Sequence, residues 1–557
     1  MQPRSGDRPN YVHGALELFA ELGDRDAIVG GDRRLTYRQL HRDVLDLAAA
    51  LTDHGVQSGD AVLVMMSNSV AGPVLQLALH LLGCRSMWVA SVTAPREMMQ
   101  FAELAKPDKF VYDPTAPNQL GDQISAALPG IPVLCMGAGG AGPDLTAPRP
   151  ANAPAVSPAV SPAFSPALSP DPAVAEPESF LQTSGTTGTP KLVHHKHGFY
   201  AQILELGRQF RAAGYPVLRH LSHSPMWLAS GQMTSLFNLF TGGVLFLRED
   251  WDPAAFLRVV ETERITSTFL TPPMLYEVLD HPDCDQADFS SMFMFNVGAG
   301  PASPARLRQA IERFGPVLRI VYGLSEAVVI TALPNLREDP EHPERLRSCG
   351  TPYGDVQIQI RDTAALDRPA EADPPGGPLL PTGATGEVWV RSKLSFSGYS
   401  GQPELTAATI VDGWVRTRDI GHLDDDGYLY LVDRVHDMIV TTRRNWAIFC
   451  RPIEDALAEH PEVRAAAVIG VPDEVVGEVP HAFVVTTDDA QATEAELIEL
   501  VGRTLNEMWA PHSVEFVAAL PRNRSAKVDK QALRAAWAAR RPQPAAAPLD
   551  GVASGPA

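Results

Sequence analysis

The sequence predicts a layered α/β protein of more than one domain. Apolar residues alternate between helical spacing and short continuous runs bounded by turn residues, the pattern of strands and helices following one another. The chain has 557 residues, more than one ordinary domain requires. A proline-rich stretch interrupts the alternation, which then resumes in two further blocks.

The first block is clearest near its start. Leu35-Thr36-Tyr37-Arg38-Gln39-Leu40 leads into apolar positions Val44, Leu45, Leu47 and Leu51 at helical spacing, with Thr36 placed to cap the helix. Gly59-Asp60 turns into Ala61-Val62-Leu63-Val64-Met65-Met66, a short apolar run suited to a buried strand. The longest apolar region, Ala71 to Val92, is broken by Gln76, His80, Gly83 and Arg85, so it reads as a buried helix and a strand, not a membrane span. The alternation runs to about Tyr112.

Residues 141–177 differ in kind, with the repeat AVSP-AVSP-AFSP-ALSP from Ala155 to Pro170. Proline at every fourth position excludes helix and central strand, so a flexible, solvated surface insertion is expected. Order resumes at Glu178-Ser179-Phe180-Leu181-Gln182 and continues to about residue 433. A smaller αβ unit follows over 434–541, and the tail 542–557 has loop-like composition without expected structure.

Composition narrows the function. With 45% hydrophobic and 20% charged residues the chain is globular, and its formal charge of −20 argues against a nucleic-acid partner. Cys84, Cys135, Cys284, Cys349 and Cys450 are scattered singly, which offers neither a disulfide framework nor a zinc knuckle. The first residues lack the apolar core of a signal peptide, so a cytoplasmic enzyme without a membrane partner is expected.

The sharpest chemical feature is Thr183-Ser184-Gly185-Thr186-Thr187-Gly188-Thr189-Pro190-Lys191, directly after an expected strand. Its glycines let backbone approach an anion, and its hydroxyls and Lys191 offer donors to phosphate oxygens. It is not a Walker A loop, because Leu192 follows the lysine. Two other patterns are decoys. Gly137 to Gly142 fits G-x-G-x-x-G, but prolines follow where a dinucleotide fold needs a helix. His194-His195-Lys196-His197 lacks a companion Cys/Asp/Glu set and is read as the start of a helix, not a metal site.

The 183–191 segment resembles the signature loop of the acyl-CoA synthetase, adenylation-domain and luciferase superfamily, and five further segments match in order. Gly298-Ala299-Gly300-Pro301 resembles its adenine loop, and Val321-Tyr322-Gly323-Leu324-Ser325-Glu326 resembles its Tyr-Gly-x-Thr-Glu motif with serine for threonine. Gly386-Glu387-Val388 with Gly398-Tyr399 matches a further strand and turn, and Trp414 to Asp419 with Asp433-Arg434 matches the ribose stretch. Pro521 to Lys530 resembles the catalytic-lysine segment. The resemblance covers nearly the whole chain outside the insertion and tail.

It implies a large N-terminal domain of layered β-sheets and helices (1–433) and a small, mobile C-terminal cap (434–541) hinged near His436. It also implies ATP and Mg²⁺. Lys527 would bridge the acid and the α-phosphate, Ser325 would donate to that phosphate, and Glu326 would hold the metal, a hard cation that favours oxygen ligands. Thr183, Ser184, Gly185, Thr186, Thr187, Gly188, Lys191, Gly298, Ala299, Gly300, Tyr322, Gly323, Asp419 and Arg434 would bind nucleotide. Trp227, Leu228, Gly231, Asn296 and the segment from Ala327 would border the acid. The implied reaction is attack of a carboxylic, possibly aryl, acid on ATP, giving an acyl-AMP and pyrophosphate, then transfer to CoA or a carrier thiol.

The sequence departs from the pattern after the hinge. Thr441-Thr442-Arg443-Arg444-Asn445-Trp446 stands where thioester-forming members carry Ser-Gly-Gly-Glu-Asn-Ile, which removes two glycines and adds bulk. His436 replaces the usual Asp or Lys, and Leu228 replaces an aromatic or histidine gate. These changes keep an alternative open, in which the adenylate passes to an amine or another non-thiol acceptor, including an ATP-dependent diazotase using nitrite and an aromatic amine.

Overall fold

A computed structural model describes residues 10–91, 93, 95–115, 120–148, 174–183, 191–337, 339–363, 377–434, 439–441, 446–473, 477–523 and 526–540. The expected hinge residue His436, Ser184 to Pro190, Thr442 to Asn445, most of the Pro-rich insertion and the tail lie outside them. The chain divides into two compact units: Met1–His436 with Arg524–Lys527, and Asp437–Asn523 with Val528–Ala557.

Local sequence explains the first elements. Thr36 and Gln39 form a reciprocal capping box that starts the helix Tyr37–Asp53. Ala61–Met65 is a fully buried strand, and the long apolar region resolves into the helix Ala71–Leu81 and the strand Arg85–Val89. Each strand is buried because helices cover both faces of its sheet, which is why these runs are continuous instead of alternating.

In the larger unit, a nine-stranded sheet has at its centre six parallel strands in the order Leu318–Tyr322, Met294–Gly298, Ser267–Leu270, Arg219–Ser222, Val244–Leu247 and Asp26–Gly30. A seven-stranded sheet is built around Glu178–Thr183, Arg85–Val89, Ala61–Met65 and Lys109–Tyr112. One apolar core takes residues from both sheets and from the helices Tyr11–Leu22, Tyr37–Asp53, Ala71–Leu81, His197–Ala212 and Ala229–Phe240, so these helices form a layer between them. A third, antiparallel sheet pairs Gln357–Arg361, Gly386–Arg391, Trp414–Leu423 and Leu429–Arg434. The smaller unit has its own sheet, led by the long hairpin Val463–Asp473 with Gly477–Thr486, and its own apolar clusters.

One expectation is corrected. His194, His195 and Lys196 belong to the strand Lys191–Lys196, and only His197 begins the following helix. Pairing with Glu178–Thr183 over its full length, from Thr183↔Lys191 to Glu178↔Lys196, overrides the helical reading. Phe180 stacks on His194 at 4.4 Å, and burial lowers the His195 pKa to about 3. Residues 143–148, directly after Gly142, contain no helix, and among the described residues no group of three or more His, Cys, Asp or Glu is placed to hold a metal.

Candidate active site

Strand alternation builds a cavity of about 270 Å³ on one face of the nine-stranded sheet. Its floor comes from every second residue of four neighbouring strands and their ends: Leu218 and His220; Ser267, Phe269 and Thr271; Met294 and Asn296; Arg319, Val321 and Gly323. The intervening residues Leu221, Leu270, Phe295, Val297 and Leu318 pack into a core on the opposite face. Its roof is the helix Ala229–Phe240, which presents Met233, Thr234, Phe237 and Asn238 at helical spacing, with Leu228 at its N-cap. Ala299, Gly323, Ser325 and Lys527 gather beyond the carboxyl ends of the parallel strands, where open α/β sheets bind ligands.

Of the residues expected at the acid pocket, Leu228 and Asn296 line this cavity, as do Ala299, Gly323, Ser325 and Lys527 from the nucleotide and catalytic sets. Trp227, Gly231 and Ala327 do not. Trp227 is buried in the apolar core between the sheets, and Ala327 is fully buried in the core beside the antiparallel sheet. Gly231 lies on the first turn of the roof helix, where an added Cβ would sit 1.9 Å from the Pro225 carbonyl oxygen. Its missing side chain admits backbone, not substrate.

A second cluster centres on Asp419, which is 3% exposed. The Tyr322 hydroxyl donates to its Oδ2 at 2.5 Å, and the Arg434 Nε donates to its Oδ1 at 3.0 Å. Asp419 and Arg434 are direct partners across antiparallel strands, so register alone brings them together. The Asp419 backbone N–H donates to Thr417 Oγ1, whose hydroxyl donates to the Val388 carbonyl, fixing the strand's rotation. Burial and the adjacent carboxylate push the Tyr322 phenol far above its ordinary pKa, so it stays a neutral donor.

The third cluster contains a residue that sequence reasoning quoted without giving it a role. The Tyr399 hydroxyl donates to Glu326 Oε1 at 2.7 Å, and the Lys191 Nζ lies 5.6 Å from the centre of the Tyr399 ring. Tyr399 thus orients the carboxylate and offers its ring to the lysine, and only its place in the Gly398-Tyr399 match marked it in advance. Lys527 links the clusters electrostatically: burial and Arg434 lower its pKa to about 8 against the opposing pull of Asp419 and Glu326.

Gly298 is set by close packing, since a Cβ there would lie 2.3 Å from the Val321 carbonyl oxygen. Ala299 next to it takes a left-handed φ of 65°. Gly300 is not constrained in this way; its nearest neighbours would be Pro272 atoms at 3.7 Å and beyond.

A hydroxyl and a lysine gathered beyond the ends of parallel strands, beside buried Asp419 and Tyr322 held with Arg434, suit an adenylate-forming enzyme. Residues 17–400 match the AMP-binding enzyme family model and residues 452–527 match the AMP-binding enzyme C-terminal domain, and the chain belongs to this family. It is an AMP-forming ligase that uses ATP to activate a carboxylic acid. A methyl-dioxo-octahydroindenyl-propanoyl:CoA ligase of Rhodococcus jostii is 31% identical over 95% of this chain and 99% of its own. The medium/long-chain-fatty-acid–CoA ligase FadD8 of Mycobacterium tuberculosis is 37% identical over 63% of this chain and 60% of its own length. The structure of the amide bond synthetase McbA from Marinactinospora thermotolerans superposes with a TM-score of 0.80, at 31% identity, over 94% of this chain and 100% of that one.

Proposed function

We propose that the acid lies in the cavity with its carboxylate toward Ser325 and Lys527, and that its activated form passes to CoA or a carrier thiol. The observation that carries this reading is the junction of one hydroxyl and one lysine at the strand ends with a pocket otherwise lined mainly by apolar and neutral residues. A carboxylate oxygen attacks the α-phosphorus of ATP, the bond to the β-phosphate oxygen breaks, and pyrophosphate leaves. The thiol then attacks the acyl carbon, loses its proton, and displaces AMP.

Catalysis of the first step is positioning and charge stabilisation. Lys527 holds the carboxylate against the α-phosphate, and Ser325 donates to that phosphate. Asp419 accepts the ribose hydroxyls, with Arg434 keeping its carboxylate in place, and Tyr322 flanks the adenine. The Thr183–Gly188 stretch and Lys191 supply nucleotide-binding groups, and Ala299 and the glycines at 298, 300 and 323 let nucleotide approach backbone.

Glu326 suits a Mg²⁺ ion. It is a carboxylate oriented by Tyr399, without a second acidic ligand set among the described residues, so the remaining coordination would fall to phosphate and water oxygens, as Mg²⁺ prefers. When bound, the ion neutralises phosphate charge. The reading includes a cytoplasmic setting, which suits cysteines that are all buried and outside any disulfide. Among the described residues no helix is long and apolar enough to cross a membrane.

An amine acceptor is the second reading, favoured by the bulky 441–446 run and by the full-length likeness to an amide bond synthetase. Pyrophosphate and AMP release would be measured for aryl and fatty acids, without acceptor, with CoA and with amines. AMP release that rises with CoA supports the thiol reading. Release that rises only with amines replaces it.

A further inference from the structure

We propose that the acid carries a second anionic group, such as a distal carboxylate, and that Arg319 is the specificity-determining residue that recognises it; this rests on the reading of the cavity as the acid pocket. Arg319 is the second residue of the strand Leu318–Tyr322, in register with Asn296, and its side chain lines the cavity floor. Its Nε is buried without a hydrogen-bond partner, and among the described residues it forms no ion pair. Among the described residues that line the cavity there is no aspartate or glutamate. Burial lowers the Arg319 pKa, with the Tyr353 and Tyr215 phenols opposing the shift. A guanidinium nevertheless remains charged at neutral pH, so the charge is not relieved by losing a proton.

Its surroundings are polar and incompletely bonded. His220, whose Nδ1 bonds Ser267 Oγ at 3.0 Å, has a buried Nε2 without a partner, and burial keeps its ring neutral with a pKa near 4. Asn238, on the roof, has both side-chain polar atoms buried and unpaired. Native interiors seldom leave such groups orphaned, and three lining one cavity mark a polar recognition point. A half-buried cation with two buried neutral donors beside it fits an anion best, because the guanidinium fork pairs a carboxylate bidentately.

Spacing narrows the substrate. Arg319 lies four residues before Gly323, roughly 13 Å along the strand at about 3.3 Å per residue. Val321 and Phe269 line the interval. The acid should therefore hold two anionic groups roughly 8–13 Å apart, across an apolar or aromatic spacer.

The test compares pyrophosphate release by the full chain for two shape-matched pairs of acids: 4-carboxycinnamate against 4-methylcinnamate, and suberate against octanoate. The diacid of at least one pair should be preferred in kcat/KM by about 10- to 100-fold, the range of a hydrogen bond between charged groups. Arg319→Met should remove most of that preference, and Arg319→Lys should restore part of it, with circular dichroism melts confirming that both variants fold. Equal use of both members of every pair, or a preference unchanged in Arg319→Met, overturns the inference and leaves the ligase reading standing. No release with any acid overturns both.

Discussion

Lys527 combines a half-buried position with a pKa pulled down from the ordinary lysine range. Burial and Arg434 outweigh Asp419 and Glu326, so its ammonium is lost as pH rises through about 8. If that ammonium joins carboxylate to phosphate, kcat/KM for pyrophosphate release should fall about tenfold per pH unit above that point. Lys527→Arg should remove this alkaline limb, and Lys527→Ala should lower the rate by at least about 100-fold, on the scale of losing a preorganised donor. A rate that stays flat to pH 10 in the unsubstituted protein would deny the lysine this role. Not every residue was equally legible in advance. Asp419, Arg434 and Tyr322 stand in short motifs, and the structure puts them in direct contact. Arg319 stands in none. Its only signal is a single charge inside the apolar run Val317-Leu318-Arg319-Ile320-Val321, and an isolated arginine in a strand is ordinarily read as facing solvent.

Elements were read best where pattern and local chemistry agree. The Thr36 cap and the apolar run at Ala61 each specify their element without help from distant residues. The histidine run failed as a helix start because its conformation is decided by a partner strand that begins at Glu178, which local spacing does not reveal. Trp227, Gly231 and Ala327 lie off the cavity for a related reason: a motif places a residue near the site but does not say which way it points. The turn after the strand Leu318–Tyr322 shows how tightly such geometry is held. A Cβ on Gly323 would lie 1.9 Å from the Val328 carbonyl oxygen, so backbone must move. Gly323→Ala should cost about 2–4 kcal/mol in thermal unfolding and lower pyrophosphate release at least about tenfold, because Ser325 and Glu326 follow that turn. Gly300→Ala, which meets nothing closer than 3.7 Å, should change stability by no more than about 0.5 kcal/mol. Equal losses at both glycines would refute the packing argument.

At the scale of the whole molecule, the order of motifs announced the family, while the sheet order, which joins strands far apart in sequence, had to be seen. The Pro-rich segment offers a test of modularity. It leaves the chain after the small strand Val133–Cys135 and returns near Ala175, whose N–H donates to Ser58 Oγ at 2.8 Å. Replacing residues 149–173 with a Gly-Ser linker should keep the thermal midpoint within about 2 °C and pyrophosphate release within about twofold, since loop length alone adds little free energy. A large loss would make the segment part of the working enzyme. The strand Leu318–Tyr322 has a wider meaning. Arg319 and Val321 line the cavity, while Tyr322 hydrogen-bonds to Asp419, the residue assigned here to the nucleotide. Substitutions at alternate positions of one strand therefore fall under separate selection. A lineage can change the acid it consumes by altering odd-numbered residues while ATP recognition is inherited intact, which makes this strand a natural place for new substrate ranges to arise.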